Sequence, residues 1–114
     1  MKNVLVYLRH IRDAFDLILE YTQNGRDSIF ESTLIRDGVI LNLVVVGEAT
    51  KNIPVEFRTE HPEIPWMRMA GMRDVIVHRY KDIDLDVVWD VVENYIPDLY
   101  PKIDRLIHEL SERD

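Results

Sequence analysis

The chain has 114 residues, no cysteine and a formal net charge of −7. This length fits one domain, expected to span residues 1–114, and the 46% apolar and 31% charged content is typical of a soluble globular protein rather than a disordered tail. Without cysteine the chain forms neither disulfides nor thiolate metal sites, so a reduced, cytoplasmic location is the default expectation.

Hydropathy and charge restrict the possible partners. The longest apolar run, residues 39–47, is interrupted by Asn42 and is far shorter than the roughly 20 apolar residues that span a bilayer. Charges at Arg9, Arg12 and Asp13 break the apolar pattern of the N-terminus, so we expect no signal peptide and no membrane association. The acidic balance argues against a protein that coats nucleic acid, because Lys and Arg contacts with phosphates dominate non-specific affinity, but it allows a local basic cleft.

Residues 4–21 form the first predicted element, an amphipathic helix. Charged residues lie between apolar ones that recur at three- and four-residue steps, which is the pattern of a helix with one buried face. The apolar positions are Leu8, Ile11, Phe15, Ile18 and Leu19. We expect Asn24-Gly25 to end this helix and Asp27 or Ser28 to cap the element that follows.

Residues 31–52 carry conflicting signals. The β-branched run at 39–46 permits a buried strand by propensity alone. The flank at 32–37 lacks strand alternation, and the residues after the run continue without a turn signal, which favours a helix. In a helix, Gly38 and Gly47 would be close-packing points, each at a cost of about 1 kcal/mol relative to alanine.

Prolines divide the middle of the chain. Pro54 is expected to stop the second long element, and residues 55–60 to form a short helical turn. After an extended loop, Pro65 is placed to start a third helix that runs to about residue 80, with Gly71 as a local break.

The last part of the chain predicts a fourth helix with a discontinuity. Residues 82–84 read as a turn, and Asp84 or Asp86 is expected to cap the helix. Pro97 should kink or restart it, because proline removes a helical hydrogen bond. The predicted fold is therefore all-α: an antiparallel bundle of four main helices, the last one kinked or split near Pro97.

The segment that carries chemistry is Arg-x4-His-x-Tyr, formed by Arg73, His78 and Tyr80. Arginine offers a permanently charged fork that fits phosphate oxygens, and histidine is the side chain that takes and gives protons near neutrality. Tyrosine adds a hydroxyl that hydrogen-bonds or is modified. By residue type alone, an ion pair, a helix-capping histidine and a core tyrosine are the commoner explanation.

Helix geometry limits how these three side chains meet. On a regular helix Arg73 and His78 are separated by about 140° around the axis, whereas Arg73 and Tyr80 lie about 20° apart. One straight helix therefore does not point all three at one atom. Either the helix is distorted near His78, or the site is composite and two copies of the chain contribute to it.

The motif and its surroundings resemble the HepT-like (DUF86) branch of the HEPN superfamily. The segments at 42–51, 54–66 and 70–89 are similar to that family in order, and Tyr21-Thr22 closes the first helix in the same way. The resemblance covers nearly the whole chain. It implies a helical bundle whose second long element is a central helix, and a small ribonuclease toxin that acts as a homodimer and pairs with a minimal nucleotidyltransferase antitoxin.

The resemblance also implies roles for single residues. In a metal-independent RNA cleavage without cofactor, His78 transfers protons and Arg73 binds the phosphate, while Asp74 orients one of them. Tyr80 is implied as the acceptor to which the antitoxin attaches AMP, which would block the cleft to RNA.

Two questions stay open at this point, the role of Glu48 and whether the chain is an enzyme. Glu48 lies in an apolar segment and is more readily explained as a buried carboxylate paired with Lys51 or with an arginine from another helix than as a site residue. The whole chain, in turn, is alternatively a non-catalytic HEPN module that binds a nucleotide or the nucleotidyltransferase, its motif surviving as a ligand clamp.

Overall fold

The computed structural model describes the backbone of residues 2–113 and the side chains of residues 4–112, and every regular element in that range is helical. The predicted all-α class is confirmed. The elements are α1 (Lys2–Tyr21), α2 (Asp27–Glu31), α3 (Thr33–Lys51), α4 (Val55–Glu60), α5 (Trp66–His78), a 3₁₀ turn (Tyr80–Asp82), α6 (Leu85–Asp90), a π-helical segment (Val91–Tyr95) and α7 (Ile96–Arg113). None of these helices combines the length and the apolar character that a bilayer crossing requires.

Helix α3 lies at the centre of the bundle. It contacts α1, α2 and α5, and its β-branched run is largely buried by these neighbours. The helical alternative for this run is therefore correct, because burial on several sides, not strand pairing, is what its apolar residues satisfy. Buried side chains from α1, α3, α5 and α7 form one core.

Helices α1 and α7 pack antiparallel along a polar seam. Three contacts join residues that advance along α1 to residues that recede along α7. The pairs are Arg9 with Ser111, Arg12 with Asp104, and Asp16 with Tyr100. The hydrogen bond that the Tyr100 hydroxyl donates to Asp16, at 2.7 Å, is the main cause that raises the pKa of Tyr100 to about 12.

The caps before α3 differ from the prediction. Helix α1 ends at Tyr21, and Gly25 adopts a φ of +94° in the turn that follows, close to the end expected at Asn24-Gly25. Ser28 donates to the Gly25 carbonyl at 2.6 Å instead of capping, and α2 has no side-chain N-cap at all. Ser32 caps α3, since its hydroxyl oxygen accepts from the Ile35 N–H at 3.1 Å. The predicted cap at Asp27 or Ser28 is therefore wrong.

Helix α5 runs without interruption through Gly71, so the predicted break there is wrong. A Cβ at Gly71 would meet nothing within 4 Å. The helix ends at His78 because Arg79 leaves helical geometry, with φ −120° and ψ 26°. Tyr80 consequently lies in the 3₁₀ turn and not in the helix.

The fourth helical stretch is split where Pro97 predicted it. Asp84 caps α6 by accepting from the Asp86 N–H at 2.9 Å. The N–H of Ile96 then donates to the carbonyl of Val91, five residues earlier, which is the π-helical pattern. Pro97 follows directly and has no N–H with which to continue an α-helical ladder.

The π-helical segment keeps one face of the helix aligned with the core. Val88, Val92 and Ile96 are buried and stand four residues apart. On an α-helix each four-residue step rotates by about 40° beyond a full turn. The wider π turn absorbs this drift, so the three side chains remain on the side that faces the core.

A cavity of about 560 Å³ separates α5 from the segment that runs from the 3₁₀ turn to α7. Its walls are mainly apolar and include Met69, Met72 and Val75 from α5 and Val87, Val88 and Val91 from the opposite side. Helix α5 is thus packed against α3 on one side and faces open space on the other.

Candidate functional site

Arg73 packs directly against Gly47 of α3. A Cβ built at Gly47 would lie 2.5 Å from the Arg73 Cβ and 2.8 Å from its backbone nitrogen. Such distances are far inside van der Waals contact, so only glycine allows α3 and α5 to approach this closely. The expectation that Gly47 is a close-packing point is confirmed. Gly38 is a second such point, where a Cβ would lie 3.0 Å from the Tyr21 ring.

The Arg73 guanidinium lies between two carboxylates. Its Nε is 2.5 Å from Glu48 Oε1, and Nη1 donates to Asp74 Oδ1 at 3.2 Å. Nε is buried and its N–H has no aligned acceptor among the described residues, so the Glu48 contact is one of opposite charges at short range. Nη2 makes no hydrogen bond to a described residue. About a third of the side chain is exposed, so this second amino group is the part of Arg73 left for a ligand.

Asp74 links this arginine back to α3. Lys51 Nζ lies 2.6 Å from the same Asp74 oxygen that accepts from Arg73. The hydrogen bond from Lys51, and after it the one from Arg73, lowers the pKa of Asp74 below its ordinary value. The four residues Glu48, Arg73, Asp74 and Lys51 form what we call the arginine network, which holds two positive and two negative charges and is neutral as a whole.

The network corrects the interpretation of Glu48. The carboxylate is paired with an arginine from another helix, which was one of the two expected partners, while Lys51 pairs with Asp74 instead. Glu48 is not buried, because 48% of its side chain is exposed. Lys51 stands four residues after Gly47 and three after Glu48, so it lies between them on the side of α3 that packs on α5.

His78 is exposed at the last turn of α5 and makes no ion pair or hydrogen bond with a described residue. Asp74 therefore contacts Arg73 and not His78. Since α5 is regular up to His78, the separation of about 140° between Arg73 and His78 holds, and distortion does not bring the two side chains together within one chain.

Tyr80 is not a core residue. Its side chain is 57% exposed, and the neighbouring Arg79 and Lys81 are exposed as well. Because Tyr80 lies outside α5, the angle of about 20° to Arg73 that a continuous helix would give does not apply. The segment from Arg73 to Lys81 is locally basic in a chain that is acidic overall.

The sector between Arg73 and His78 around the axis of α5 is partly apolar. Met67, Ala70 and Val77, which we call the α5 stripe, share it on the helical wheel with Asp74 and with the buried Trp66. Met67 is 85% exposed and Val77 is 48% exposed, so these two side chains are largely uncovered within the described chain, while Asp74 is bonded to Lys51 of α3. The cavity described above opens on a different side of α5, and neither Arg73 nor His78 lines it.

Residues 4–112 contain no cluster of three or more His, Asp or Glu side chains arranged to hold a metal ion. The polar groups of this region are the arginine network, His78 and the exposed Arg79, Tyr80 and Lys81. Their chemistry is that of phosphate binding and proton transfer.

Comparisons with known proteins agree on one family. The profile described as "Ribonuclease HepT-like" matches residues 11–106. A Thermococcus cleftensis protein named "Probable ribonuclease HepT" is 43% identical over 104 residues, which cover 88% of this chain and 92% of that protein. A Caldanaerobacter subterraneus protein named as a putative RNase is 31% identical over 111 residues, which cover 96% of this chain and 98% of that protein.

One relative is about twice as long as the chain. A Methanocaldococcus jannaschii protein named "Gamma-glutamylcyclotransferase and putative RNase" is 40% identical over 112 residues. The match covers 97% of this chain but only 50% of that protein. No solved structure gives a significant match. On the profile and these relatives together, the chain belongs to the HepT-like ribonuclease family.

Proposed function

We propose that the chain is a metal-independent endoribonuclease whose active site is composed by two copies, with Arg73 and His78 as its catalytic residues. The observation that carries this proposal is the arrangement on α5. Arg73 and His78 lie on either side of a sector that exposes Met67 and Val77, and they make no hydrogen bond or ion pair with each other within one chain. The family and the relatives named as ribonucleases supply the reaction class.

The proposed reaction divides between the two side chains. A base removes the proton of the ribose 2′-hydroxyl, whose oxygen attacks the adjacent phosphorus, and an acid protonates the departing 5′-oxygen. The exposed imidazole of His78 suits proton transfer, and the free Nη2 of Arg73 suits a phosphate whose negative charge grows during the attack. DNA lacks the 2′-hydroxyl and should not be cleaved.

A homodimer would complete this site. A two-fold interface pairs the same surface of both copies, so the α5 stripe of one chain, made of Met67, Ala70 and Val77, would pack against the α5 stripe of the other. Packing them together would cover the exposed Met67 and place both pairs of Arg73 and His78 around one cleft.

A cleavage assay tests the enzyme. Unmodified protein is incubated with RNA in chelator beside Arg73→Ala and His78→Ala, with Arg105→Ala and His10→Ala as exposed controls of the same residue types. Loss of His78 should lower the rate by ~10²–10⁴-fold, the usual effect of removing an acid–base group. Full activity in either α5 variant would contradict the assignment. An inert wild type that still binds a nucleotidyltransferase would favour the non-catalytic module instead.

Mixing the two inactive variants tests the composite site. A dimer of one Arg73→Ala and one His78→Ala subunit holds one intact pair if the two residues come from different copies, and none if they come from the same copy. Random mixing should therefore restore about a quarter of the wild-type rate. No recovery in mixtures that form heterodimers would contradict the two-copy site.

We also propose that the chain is the toxin of a toxin–antitoxin pair, silenced by a nucleotidyltransferase that adenylylates Tyr80. In that step the Tyr80 hydroxyl attacks the α-phosphorus of ATP and pyrophosphate departs. Exposure of Tyr80 and the positive charges of Arg79 and Lys81 on either side support access by an anionic nucleotide. The attached phosphate would then repel RNA from the basic segment.

Intact mass spectrometry tests the modification after co-expression with the nucleotidyltransferase. Wild type should gain the mass of AMP, and Tyr80→Phe should not. Tyr21→Phe, which changes another exposed tyrosine, is the matched control and should still be modified. Unchanged mass in the wild type, or equal modification of Tyr80→Phe, would contradict this proposal.

A further inference from the structure

We infer that Gly47 and Glu48 of α3 are positioning residues that aim the Arg73 guanidinium, so that the active-site arginine depends on a helix outside the Arg-x4-His-x-Tyr segment. This inference rests on the proposed ribonuclease function for its catalytic consequence. Its structural part, the restraint on Arg73, stands on the contacts between α3 and α5 alone.

The backbone of Arg73 is restrained first. At Gly47, α3 touches the Cβ, the backbone nitrogen and the Cα of Arg73, with virtual Cβ distances of 2.5, 2.8 and 3.1 Å. No other residue type fits in this space without separating the two helices. The point where the Arg73 side chain leaves α5 is therefore set by α3.

The side chain is restrained next, at two of its three nitrogens. Glu48 lies 2.5 Å from the buried Nε, and Asp74, itself held by Lys51 at 2.6 Å, accepts from Nη1. An arginine side chain has several freely rotating bonds, and two fixed nitrogens of a planar group determine the direction of the third. Nη2 is thereby directed away from the network and remains available to a phosphate oxygen.

The charges of the network explain why Lys51 belongs to it. Glu48 and Asp74 together would outweigh the single positive charge of Arg73 and disfavour an incoming phosphate. Lys51 offsets the second carboxylate, so the network as a whole is neutral while the free edge of Arg73 stays positive.

A double-mutant comparison of cleavage rates tests the catalytic consequence. Glu48→Ala should lower kcat/KM by up to about 10²-fold, as expected for a displaced catalytic group. The neutral Glu48→Gln should lose a similar factor, because the contact with Nε is one of opposite charges. Glu48→Ala should have no further effect in an Arg73→Ala background, because it acts only through Arg73. Glu56→Ala, an exposed carboxylate on α4, is the matched control and should behave as wild type. Equal rates for wild type and Glu48→Ala, or additive losses in the double variant, would overturn the inference.

An NMR measurement tests the restraint without reference to activity. The Nε–H signal of Arg73, assigned by its loss in Arg73→Lys, should exchange slowly with water because Nε is buried. In Glu48→Ala the signal should broaden or vanish through faster exchange, and in Glu56→Ala it should not change. An unchanged signal in Glu48→Ala would overturn the positioning role.

The two measurements separate the possible failures. A wild type that does not cleave RNA, with an Nε–H signal that responds to Glu48→Ala, would refute the ribonuclease and leave the restraint in place. A wild type that cleaves RNA and loses activity in Arg73→Ala, but not in Glu48→Ala, would refute the positioning role and keep the ribonuclease.

Discussion

The two sides of α5 are built differently. Toward α3 the helices touch at Gly47 without room for a methyl group, and the arginine network joins them with charges. Toward α6 and α7 the same helix faces a cavity of about 560 Å³ whose apolar walls leave Val75 and Val87 largely exposed. One helix thus combines a rigid face and a loosely covered one.

This difference shows which parts of the motif are held in place. Arg73 lies on the packed face, where both its backbone and its guanidinium are restrained. His78 and Tyr80 lie at the far end of the helix, where they are exposed. The contacts of the folded chain thus restrain the arginine end of the motif, whereas no hydrogen bond or ion pair among the described residues restrains His78.

The largest effect on stability is expected at the face of α5 that packs against α3. Gly47→Ala should lower the free energy of unfolding by up to about 2 kcal/mol. A methyl group added where none fits usually costs about 1–3 kcal/mol, and the helical preference of alanine over glycine offsets about 1 kcal/mol of that cost. Urea unfolding followed by circular dichroism measures it, and an equal or higher stability in Gly47→Ala would contradict the close packing of α3 and α5.

Gly71→Ala is the matched substitution in the same helix pair. A Cβ at this position meets nothing within 4 Å, so only the helical preference of alanine remains. The free energy of unfolding should rise by about 0.5–1 kcal/mol. A loss of stability would mean that Gly71 is covered by another copy of the chain, and the result should then depend on protein concentration.

Most of the architecture was predictable, but the contacts that position Arg73 were not. Periodicity predicts α1, and the glycines of α3 indicate packing points, although the sequence does not show which residues pack there. The tertiary fold overrode the local signal at Gly71, since packing of α5 on α3 outweighs the modest cost of one glycine. The pairing of Glu48 with Arg73 depends on the register of two helices 25 residues apart in the chain, which no local pattern contains.

The cavity face should tolerate added volume. Val87→Ile extends a side chain that is exposed at the edge of open space, so its free energy of unfolding should change by less than about 0.5 kcal/mol. The same urea titration compares it with Gly47→Ala. A loss as large as that of Gly47→Ala would remove the contrast between the two faces.

The smallest effect on the free energy of unfolding is expected from the pH-dependent pairing of Asp74 with Lys51 and Arg73. The pKa of Asp74 is lowered in the folded chain by Lys51 and Arg73, so its ionised form stabilises the fold at pH values above the ordinary value of 3.8. That contribution is lost as the pH falls through the lowered pKa. Lys51→Met should therefore show a shallower loss of stability than wild type below about pH 4. Parallel curves for the two proteins would indicate that the exposed pair contributes nothing measurable.

The π-helical segment before Pro97 holds one residue more than an α-helix would place between the same two ends. The extra residue is absorbed within Val91–Tyr95, because Ile96 bonds five residues back instead of four, so α7 keeps its rotation relative to α6. Deleting one residue there would allow a uniform α-helix that still turns the seam residues of α7 toward α1, whereas a deletion within α7 would rotate everything beyond it by about 100°. The fold should therefore tolerate a shorter chain at this segment but not one helical turn later.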